Sequence, residues 1–255
     1  FPDDKVQCAI ISDIHGNLEA LETVLKDIEA VGVREIWCLG DVVGYGPQPV
    51  ECYKLAIEKC SIIVKGNHEA ALLPGGGERF TARARRAIDW TRKTIAASPE
   101  GEEILAAVKQ WPTHFERKDI MFTHGSPRDP TDEYLMPRDA RNPRKMRPQF
   151  ERMKRYSFVG HTHIPGVMEE GEPFTPPERM LGHNVYMLDY EMKAIINVGS
   201  VGQPRDRNPD SCYVTFDGDS VVYRRVKYRT DKTRKLIYMA KGLDDFLGDR
   251  LVQGR

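Results

Sequence analysis

The sequence predicts an α/β fold in which two β-sheets pack on each other and are flanked by helices. Two observations lead to this prediction. In the first two-thirds of the chain, short apolar runs alternate with segments whose apolar residues recur at helical spacing. After residue 163, short strand-like runs follow one another with only turn residues between them. The first pattern predicts a parallel, helix-covered sheet, and the second predicts a mostly antiparallel sheet packed against it.

The amino-terminal part of the chain has the order β-α-β-α-β. Residues 17–30 carry leucine, valine and isoleucine at helical spacing behind Asn17, a residue that suits the N-cap of a helix. A second helix is expected over 47–59, because Pro47 fits a first helical turn. Short apolar runs around these helices predict strands at 6–11, 36–39 and 61–64.

The rest of the chain completes the two sheets. A glycine-rich loop at 74–77 precedes two predicted helices, at 81–97 and 100–110, and residues 127–148 look irregular. Asp217-Gly218 predicts a hairpin. Further strands are expected at 120–123, 156–159, 185–188, 194–198, 212–216 and 221–226. We expect one domain over residues 1–255, with a helical and loop insertion around 74–112 beside the functional site.

Composition limits the classes of partner. Of the 255 residues, 40% are hydrophobic and 30% are charged, and the formal net charge is zero. A nonspecific nucleic-acid-binding protein usually carries a basic excess, so this balance argues against nucleic acid as a partner. No run of about 18 apolar residues occurs, so we expect no membrane partner. The oligomeric state is not predicted.

Cysteine usage and the start of the chain bear on its compartment. The five cysteines include no C-x-x-C pair, which is typical of free thiols in a reducing compartment. No secretory leader opens the sequence, which begins at Phe1 without a methionine. We therefore expect a cytoplasmic protein. Cys8 and Cys38 lie in apolar runs and are expected to pack in the core.

Five polar motifs each directly follow a predicted strand. In α/β sheets a crevice forms outside the carboxyl ends of the strands, so these motifs are expected to meet at one rim. Five of the seven histidines fall within them, whereas His114 and His183 lie outside and are expected to have ordinary roles. The motifs are Asp13-Ile14-His15-Gly16-Asn17, Gly40-Asp41, Gly66-Asn67-His68-Glu69, Thr123-His124-Gly125 and Gly160-His161-Thr162-His163.

The residue types in these motifs indicate a metal site. Imidazoles, carboxylates and an amide oxygen together form a ligand set that suits Mn, Fe, Zn or Ni. Asp-x-His and His-x-His spacings put two ligands on one side of an extended segment, because side chains alternate along a strand. A single histidine in such a place is more often a hydrogen-bonded core or surface residue. The joint occurrence at five strand ends favours metal binding.

The set of motifs resembles the calcineurin-like metallophosphoesterase family, whose pattern is D-x-H, G-D, G-N-H-[ED], H and G-H-x-H in this order. The stretches 39–47 and 197–206 further resemble the bacterial and archaeal branch of small phosphodiesterases and diadenosine-tetraphosphatase-like enzymes. The resemblance implies an αββα fold with two mixed sheets, a phosphoester hydrolase activity and a pair of divalent or transition-metal ions.

The resemblance also assigns roles to individual residues. Asp41 would bridge the two metals, and His68 would be the catalytic histidine beside them. The alternative for His68 is a hydrogen-bonding role behind the ligands. The remaining ligands would be Asp13, His15 and His163 for one metal and Asn67, His124 and His161 for the other.

Physical chemistry supports this division of roles. Two ions about 3.5–4 Å apart can share a hydroxide and clamp the phosphoryl oxygens. A carboxylate bridges two cations better than a neutral ligand does, which suits Asp41. The leaving alkoxide needs a proton, and His68 can supply it because histidine titrates near neutral pH.

The motifs depart from one branch of the superfamily. Eukaryotic-type Ser/Thr protein phosphatases carry G-D-x-x-D-R-G, and here the stretch 40–46 lacks the second aspartate and the arginine. Since those residues serve the catalytic histidine and the phosphate, their absence favours phosphodiester or nucleotide substrates. Tyr45 and Arg205 are candidate substrate contacts. Their alternatives are a packed turn aromatic for Tyr45 and a surface salt bridge for Arg205.

The basic segment 138–155 has two interpretations. It can form a basic wall for a polyphosphate or nucleic-acid substrate, or it can be a solvated face, which we prefer. The sequence as a whole predicts two-metal hydrolysis of a small phosphoester or nucleotide by a metal-bridging hydroxide. The alternatives are a phosphomonoesterase or protein phosphatase, a metal-binding scaffold without turnover, and a DNA nuclease that depends on the basic segment.

Overall fold

The computed structural model describes residues 7–255, which form eleven strands and eight α-helices. The strands are β1 (Cys8–Ile11), β2 (Glu35–Cys38), β3 (Ile62–Ile63), β4 (His114–Arg117), β5 (Ile120–Thr123), β6 (Tyr156–Val159), β7 (Gly166–Glu169), β8 (Val185–Met187), β9 (Ala194–Asn197), β10 (Ser211–Phe216) and β11 (Ser220–Val226). The helices are α1 (Leu18–Ala30), α2 (Pro49–Lys59), α3 (Asn67–Leu72), α4 (Ala82–Ala96), α5 (Gly101–Gln110), α6 (Pro143–Arg152), α7 (Thr230–Met239) and α8 (Phe246–Gln253).

The strands form two mixed sheets. One has the order β3-β2-β1-β10-β11-β8, in which β1, β2 and β3 are parallel and the other three pair antiparallel. The second has the order β4-β5-β6-β9-β7, with β5, β6 and β9 parallel at its centre. Each sheet therefore sends a set of parallel strand ends toward one rim of the molecule.

Alternation along the strands divides the core into layers. In β1, Cys8 and Ile10 lie in the core between the sheets, together with Phe122 and Phe158 of the second sheet. The intervening residues of β1 pack instead against α1 and α2. On the outer face of the second sheet, residues of α6 pack against β6 and β9. The order of layers is therefore helix, sheet, sheet, helix, which confirms the predicted αββα fold.

Most local predictions agree with the structure within two residues. Asn17 caps α1, where its side chain accepts a hydrogen bond from the backbone N–H of Ala20. Asp217-Gly218 lies in the turn between β10 and β11. Val6, part of the predicted first strand, lies outside the described residues. All five cysteines are free, and Cys8 and Cys38 are buried as expected.

Two predictions were wrong. The segment expected to be irregular, 127–148, ends inside α6. The helix forms because Met146 and Phe150 bury against the second sheet and outweigh Pro148, which removes one backbone donor. The carboxyl-terminal strands do not form a separate antiparallel sheet. Instead, β10, β11 and β8 extend the first sheet and β9 enters the second. Sheet membership depends on long-range pairing that a local pattern does not contain.

Several elements were not predicted from the sequence, namely β4, β7, α3, α7 and α8. The predicted insertion at 74–112 contains α4 and α5, and its Phe80 ring lies 4.9 Å from the ring of His68. The assignment of residues 1–255 to one domain stays a prediction. Within residues 7–255, no helix combines the length and apolar character that a bilayer crossing requires.

Candidate metal centre

Six residues at the carboxyl ends of the strands have a left-handed backbone. Their φ angles lie between 51° and 64°, in a region that residues other than glycine rarely adopt. Such conformations cost free energy and cluster at functional sites. The residues are Asp13, His15, Asp41, Tyr45, His161 and His163, and they account for six of the nine non-glycine residues with positive φ in the described chain.

Backbone hydrogen bonds hold these turns together. Asp13 N donates to Gly40 O over 3.0 Å, and His15 N donates to Asp41 O over 2.8 Å. The two sheets are joined at the rim, since the Asp13 carboxylate accepts a bond of 3.0 Å from His161 N through Oδ2. The structure therefore brings the predicted ligands from both sheets to one place, as the strand-end pattern implied.

The first ligand cluster consists of Asp13, His15 and His163, all at most 2% exposed. The Nε2 atoms of His15 and His163 lie 3.1 Å apart, and Nε2 of His163 lies 3.0 Å from Oδ1 of Asp13. This carboxylate oxygen is buried and has no hydrogen-bond donor among the described residues. Three inward-facing atoms that can each bind a cation thus converge on one point.

The second cluster surrounds Nε2 of His124. It lies 3.1 Å from Oδ1 of Asn67, 2.9 Å from Nδ1 of His161 and 3.3 Å from Oδ2 of Asp41. The same Asp41 oxygen lies 3.6 Å from Nε2 of His15, in the first cluster. Asp41 is 1% exposed and is the carboxylate between the two groups. This geometry suits a shared ligand.

Hydrogen bonds to carbonyl oxygens fix which nitrogen of each histidine points inward. A carbonyl only accepts, so the ring nitrogen that faces it carries the proton and the other nitrogen is free to bind a metal. The Nδ1 atoms of His15, His124 and His163 donate to Val43 O (3.2 Å), Leu39 O (2.9 Å) and Gln203 O (2.5 Å). His161 is reversed and donates through Nε2 to Asp132 O over 3.1 Å.

The protonation equilibria of the site reflect its burial and its carboxylates. Burial lowers the pKa of both His15 and His163, so their inward nitrogens carry lone pairs at neutral pH. Burial also opposes a charge on His124, but the Asp41 carboxylate outweighs it and raises the pKa of His124 to about 9. Without a metal, Nε2 of His124 is therefore protonated at neutral pH, and a bound cation would take the place of this proton. The residues therefore fit divalent metal ions.

His68 lies beside the two clusters. Its backbone N–H donates to Oδ1 of Asp41 over 2.9 Å, and its ring centroid lies 4.8 Å from that of His15. Its Nδ1 is buried without a hydrogen-bond partner within residues 7–255. Gly44, with φ of 90°, packs against this nitrogen, and a Cβ at Gly44 would lie 2.0 Å from it. This is the position at which protein phosphatases carry the second aspartate, and Gly44 offers no carboxylate to the His68 ring there.

Aromatic and basic side chains form the rim of the site. The Tyr45 ring lies 4.4 Å from the His68 ring, and Cζ of Arg205 lies 5.9 Å from the Tyr45 ring. Tyr134 stacks on His161 with ring centroids 3.7 Å apart. Sequence reasoning missed Tyr134 and Phe80, because both lie in loops without a periodic pattern. Neither carries a local signal beyond its aromatic type.

Glu69 follows His68 in the third motif and received no role from the sequence. It is fully buried, and its Oε2 accepts hydrogen bonds from the backbone N–H groups of Asp41 (2.8 Å) and Gly66 (2.9 Å). Its Oε1 accepts from Val43 N over 3.1 Å. One carboxylate thereby ties the Asp41 turn to the start of α3.

We expect Glu69→Gln to destabilise the site. Glutamine has one acceptor oxygen, and its NH₂ group would face a backbone donor. The free energy of unfolding should therefore fall by about 1–3 kcal/mol. The affinity for metal should fall roughly 10- to 100-fold, because the Asp41 turn loses its anchor. Denaturant unfolding and metal titration measure both effects. The exposed control Glu116→Gln should change neither, and an unchanged Glu69→Gln protein would contradict this role.

Side chains of the stretch 197–206 form hydrogen bonds with the turns that carry the predicted ligands. Asn197 Nδ2 donates to Gly160 O over 2.6 Å and to Oγ1 of Thr162 over 2.9 Å. The Ser200 hydroxyl donates to Asp13 O over 2.9 Å. Arg205 bonds through Nη2 to Oε1 of Gln203 over 2.8 Å and makes no salt bridge with a carboxylate in the part of the chain that the structure describes. The role of Arg205, as a substrate contact or in a surface salt bridge, stays a prediction.

The remaining candidate residues lie apart from the clusters. His114 and His183 are exposed and join neither cluster, as expected. In the basic segment, Lys145 pairs with Asp139 at 2.6 Å and Arg147 pairs with Glu151 at 2.8 Å. Local acidic partners thus neutralise part of the segment, which agrees with the preferred solvated face.

Comparisons with known proteins agree with this geometry. A family model described as the calcineurin-like phosphoesterase superfamily domain matches residues 6–220. An uncharacterised protein of Methanocaldococcus jannaschii is 36% identical over 98% of this chain and 99% of its own length. The crystal structure of a metallophosphoesterase from Sphaerobacter thermophilus is also 36% identical, with a TM-score of 0.82, and the match covers 99% of this chain and 100% of that one. The symmetrical bis(5'-nucleosyl)-tetraphosphatase of Pseudomonas fluorescens is 30% identical over 45% of this chain and 40% of its own.

Proposed function

The chain belongs to the calcineurin-like phosphoesterase superfamily, and from this premise we propose that it uses two divalent metal ions to hydrolyse phosphodiester or nucleotide substrates. The observation that carries the proposal is the pair of ligand clusters on either side of Asp41. Bound there, two divalent ions supply an activated water as nucleophile and neutralise the charge on the phosphoryl group.

In this proposal each residue has a defined task. Asp13, His15 and His163 would hold one ion, and Asn67, His124 and His161 would hold the other. Asp41, whose Oδ2 lies between the clusters, would be the ligand that they share. The carbonyl partners of the four histidines prevent the rings from rotating, so the ligand nitrogens are held ready before a metal arrives. Mn, Fe, Zn and Ni all suit this ligand set.

His68 is proposed to donate a proton to the leaving alkoxide. Among the protein's own groups, burial lowers the pKa of His68 to about 4, against the attraction of Asp41. A neutral imidazole does not donate readily, so the negative charge of a bound phosphate has to raise this pKa. The proton then resides on His68 when substrate is bound.

The preference for diesters or nucleotides rests on the surroundings of His68. Gly44 takes the place of the phosphatase aspartate, and Tyr45 offers an aromatic face 4.4 Å from the His68 ring. An aromatic face suits a nucleobase or another flat leaving group better than it suits a bare phosphate. The partial similarity to a symmetrical bis(5'-nucleosyl)-tetraphosphatase points in the same direction.

The test of this proposal compares two chromogenic substrates. The protein is stripped with a chelator, each of Mn, Fe, Ni, Zn and Mg is added back, and turnover of bis-p-nitrophenyl phosphate is compared with that of p-nitrophenyl phosphate. We expect metal-dependent turnover of the diester. Turnover of the monoester alone would identify a phosphomonoesterase, and turnover of neither by a metal-loaded protein would favour a scaffold. The DNA nuclease alternative is tested separately by DNA binding at low salt, and binding there would support that alternative.

A further inference from the structure

A second basic residue reaches the rim of the site from the carboxyl-terminal helix α8. Arg250 is partly buried on α8, whose Leu247 and Leu251 belong to the cluster against which Tyr45 packs, and the charge of Arg205 acts on its guanidinium. The α8 helix lies outside the residues 6–220 that the family model matches. Its basic residue is therefore a feature of this chain that the superfamily motifs do not include.

The helix that carries Arg250 is firmly held. Leu247 and Leu251 are buried with Ile237 of α7, and Tyr45 packs against the same cluster. At the start of α8, Arg83 of α4 donates to Asp244 over 3.0 Å. At its end, the backbone N–H of Arg207 donates to Gly254 O over 2.8 Å. Contacts at both ends of α8 therefore hold the helix that carries Arg250.

Neither arginine pairs with an acidic side chain within residues 7–255. Arg205 donates to Oε1 of Gln203, and Arg250 donates to the main-chain oxygen of Arg255. Burial and the repulsion of Arg205 lower the pKa of Arg250 to about 10, which still leaves it charged at neutral pH. Two partly buried like charges that repel each other are unfavourable, and an anion bound to both would relieve the repulsion.

We propose that Arg250 and Arg205 bind a second anionic group of the substrate, next to the phosphate that reacts at the metal centre. The inference rests on the proposed function and deepens it, because it makes Arg250 a specificity residue for phosphoesters that carry an adjacent phosphate or similar anion. The Tyr45 ring lies 5.9 Å from Cζ of Arg205 and 4.4 Å from the His68 ring, so it would lie between the two phosphate positions. Arginine suits this task, since its planar fork binds phosphate oxygens in pairs.

The experiment measures binding and does not depend on turnover. The Mn²⁺-loaded protein, at a fixed concentration of free metal, is titrated calorimetrically with α,β-methylene-ADP and with AMP. We expect the diphosphate analogue to bind at least about tenfold more tightly than AMP. Arg250→Gln should lower the affinity for the diphosphate analogue roughly 10- to 100-fold and that for AMP by clearly less. The affinity of Arg250→Lys for the diphosphate analogue should lie between those of the wild type and Arg250→Gln, because lysine keeps the positive charge but lacks the planar guanidinium.

The matched control is Arg144→Gln, which removes one exposed positive charge from α6 in the basic segment. It should change both affinities by less than about twofold. Thermal unfolding checks that each variant folds. If Arg250→Gln does not fold, the affinities of Arg250→Lys are used to test the proposal. The inference is wrong if the wild type binds AMP and the diphosphate analogue equally tightly. It is also wrong if the Arg250 variants lose affinity for both ligands by the same factor, or if Arg144→Gln lowers the affinity for the diphosphate analogue as much as Arg250→Gln does. Turnover of bis-p-nitrophenyl phosphate tests the proposed function separately.

Discussion

Asp41→Asn is expected to lower turnover more than roughly a hundredfold, a larger loss than that for a residue that only supports a ligand. Asparagine has nearly the same shape but no charge, so it cannot balance two cations at the position where the wild-type oxygen lies 3.6 Å from His15 Nε2 and 3.3 Å from His124 Nε2. The variant should also bind less than two equivalents of metal. Steady-state kinetics and metal analysis after dialysis measure the two effects.

The control for this variant is Asp89→Asn. Asp89 lies on α4 and pairs with Arg92 at 2.7 Å, and its side chain is 48% exposed. It should keep both full turnover and full metal content, because an exposed ion pair contributes little to stability. An Asp41→Asn protein that binds two metals with normal affinity would contradict the bridging role of Asp41.

His68→Ala is expected to lower kcat by roughly 10²- to 10⁴-fold, the contribution of a positioned general acid. Metal content should stay at the wild-type value, because no assigned ligand is removed. A leaving group that needs no proton should lessen the defect, so the loss should be smaller for p-nitrophenyl esters than for alkyl esters. Kinetics with both kinds of ester, together with metal analysis, measure these effects.

His114→Ala is the matched histidine control, since His114 is exposed on β4 and joins neither cluster. It should leave kcat and metal content unchanged. If His68→Ala retains the full rate with alkyl esters, the proton donor is another group, and His68 has only a hydrogen-bonding role. If the variant loses metal, His68 is a ligand, which its proximity to His15 and Asp41 permits geometrically.

The ligand positions were predictable because each follows a strand directly. Asp13, Asp41 and Asn67 come after parallel strands of one sheet, and His124 and His161 come after parallel strands of the other. Parallel strands end at a common rim, so convergence follows from topology and residue order. The family that the motifs resemble is confirmed by the match over residues 6–220. The roles of the individual residues remain predictions.

Long-range features were less predictable. Nothing in the local pattern of Cys212–Phe216 distinguishes a strand beside β1 from a strand in the second sheet. The helices α7 and α8 do carry a usable signal, since Thr233 and Ile237, like Leu247 and Leu251, recur at a spacing of four and are buried. Their place beside Tyr45, and hence that of Arg250, depends on tertiary packing and is absent from the sequence.

Metal counting tests the central claim most directly. The protein is stripped with a chelator, titrated with Mn²⁺ while turnover of bis-p-nitrophenyl phosphate is followed, and analysed for bound metal after dialysis. The account predicts two ions per chain, with turnover that rises as the second ion binds and is absent from the stripped protein. Full turnover by the stripped protein, or saturation at a single ion per chain, would contradict it.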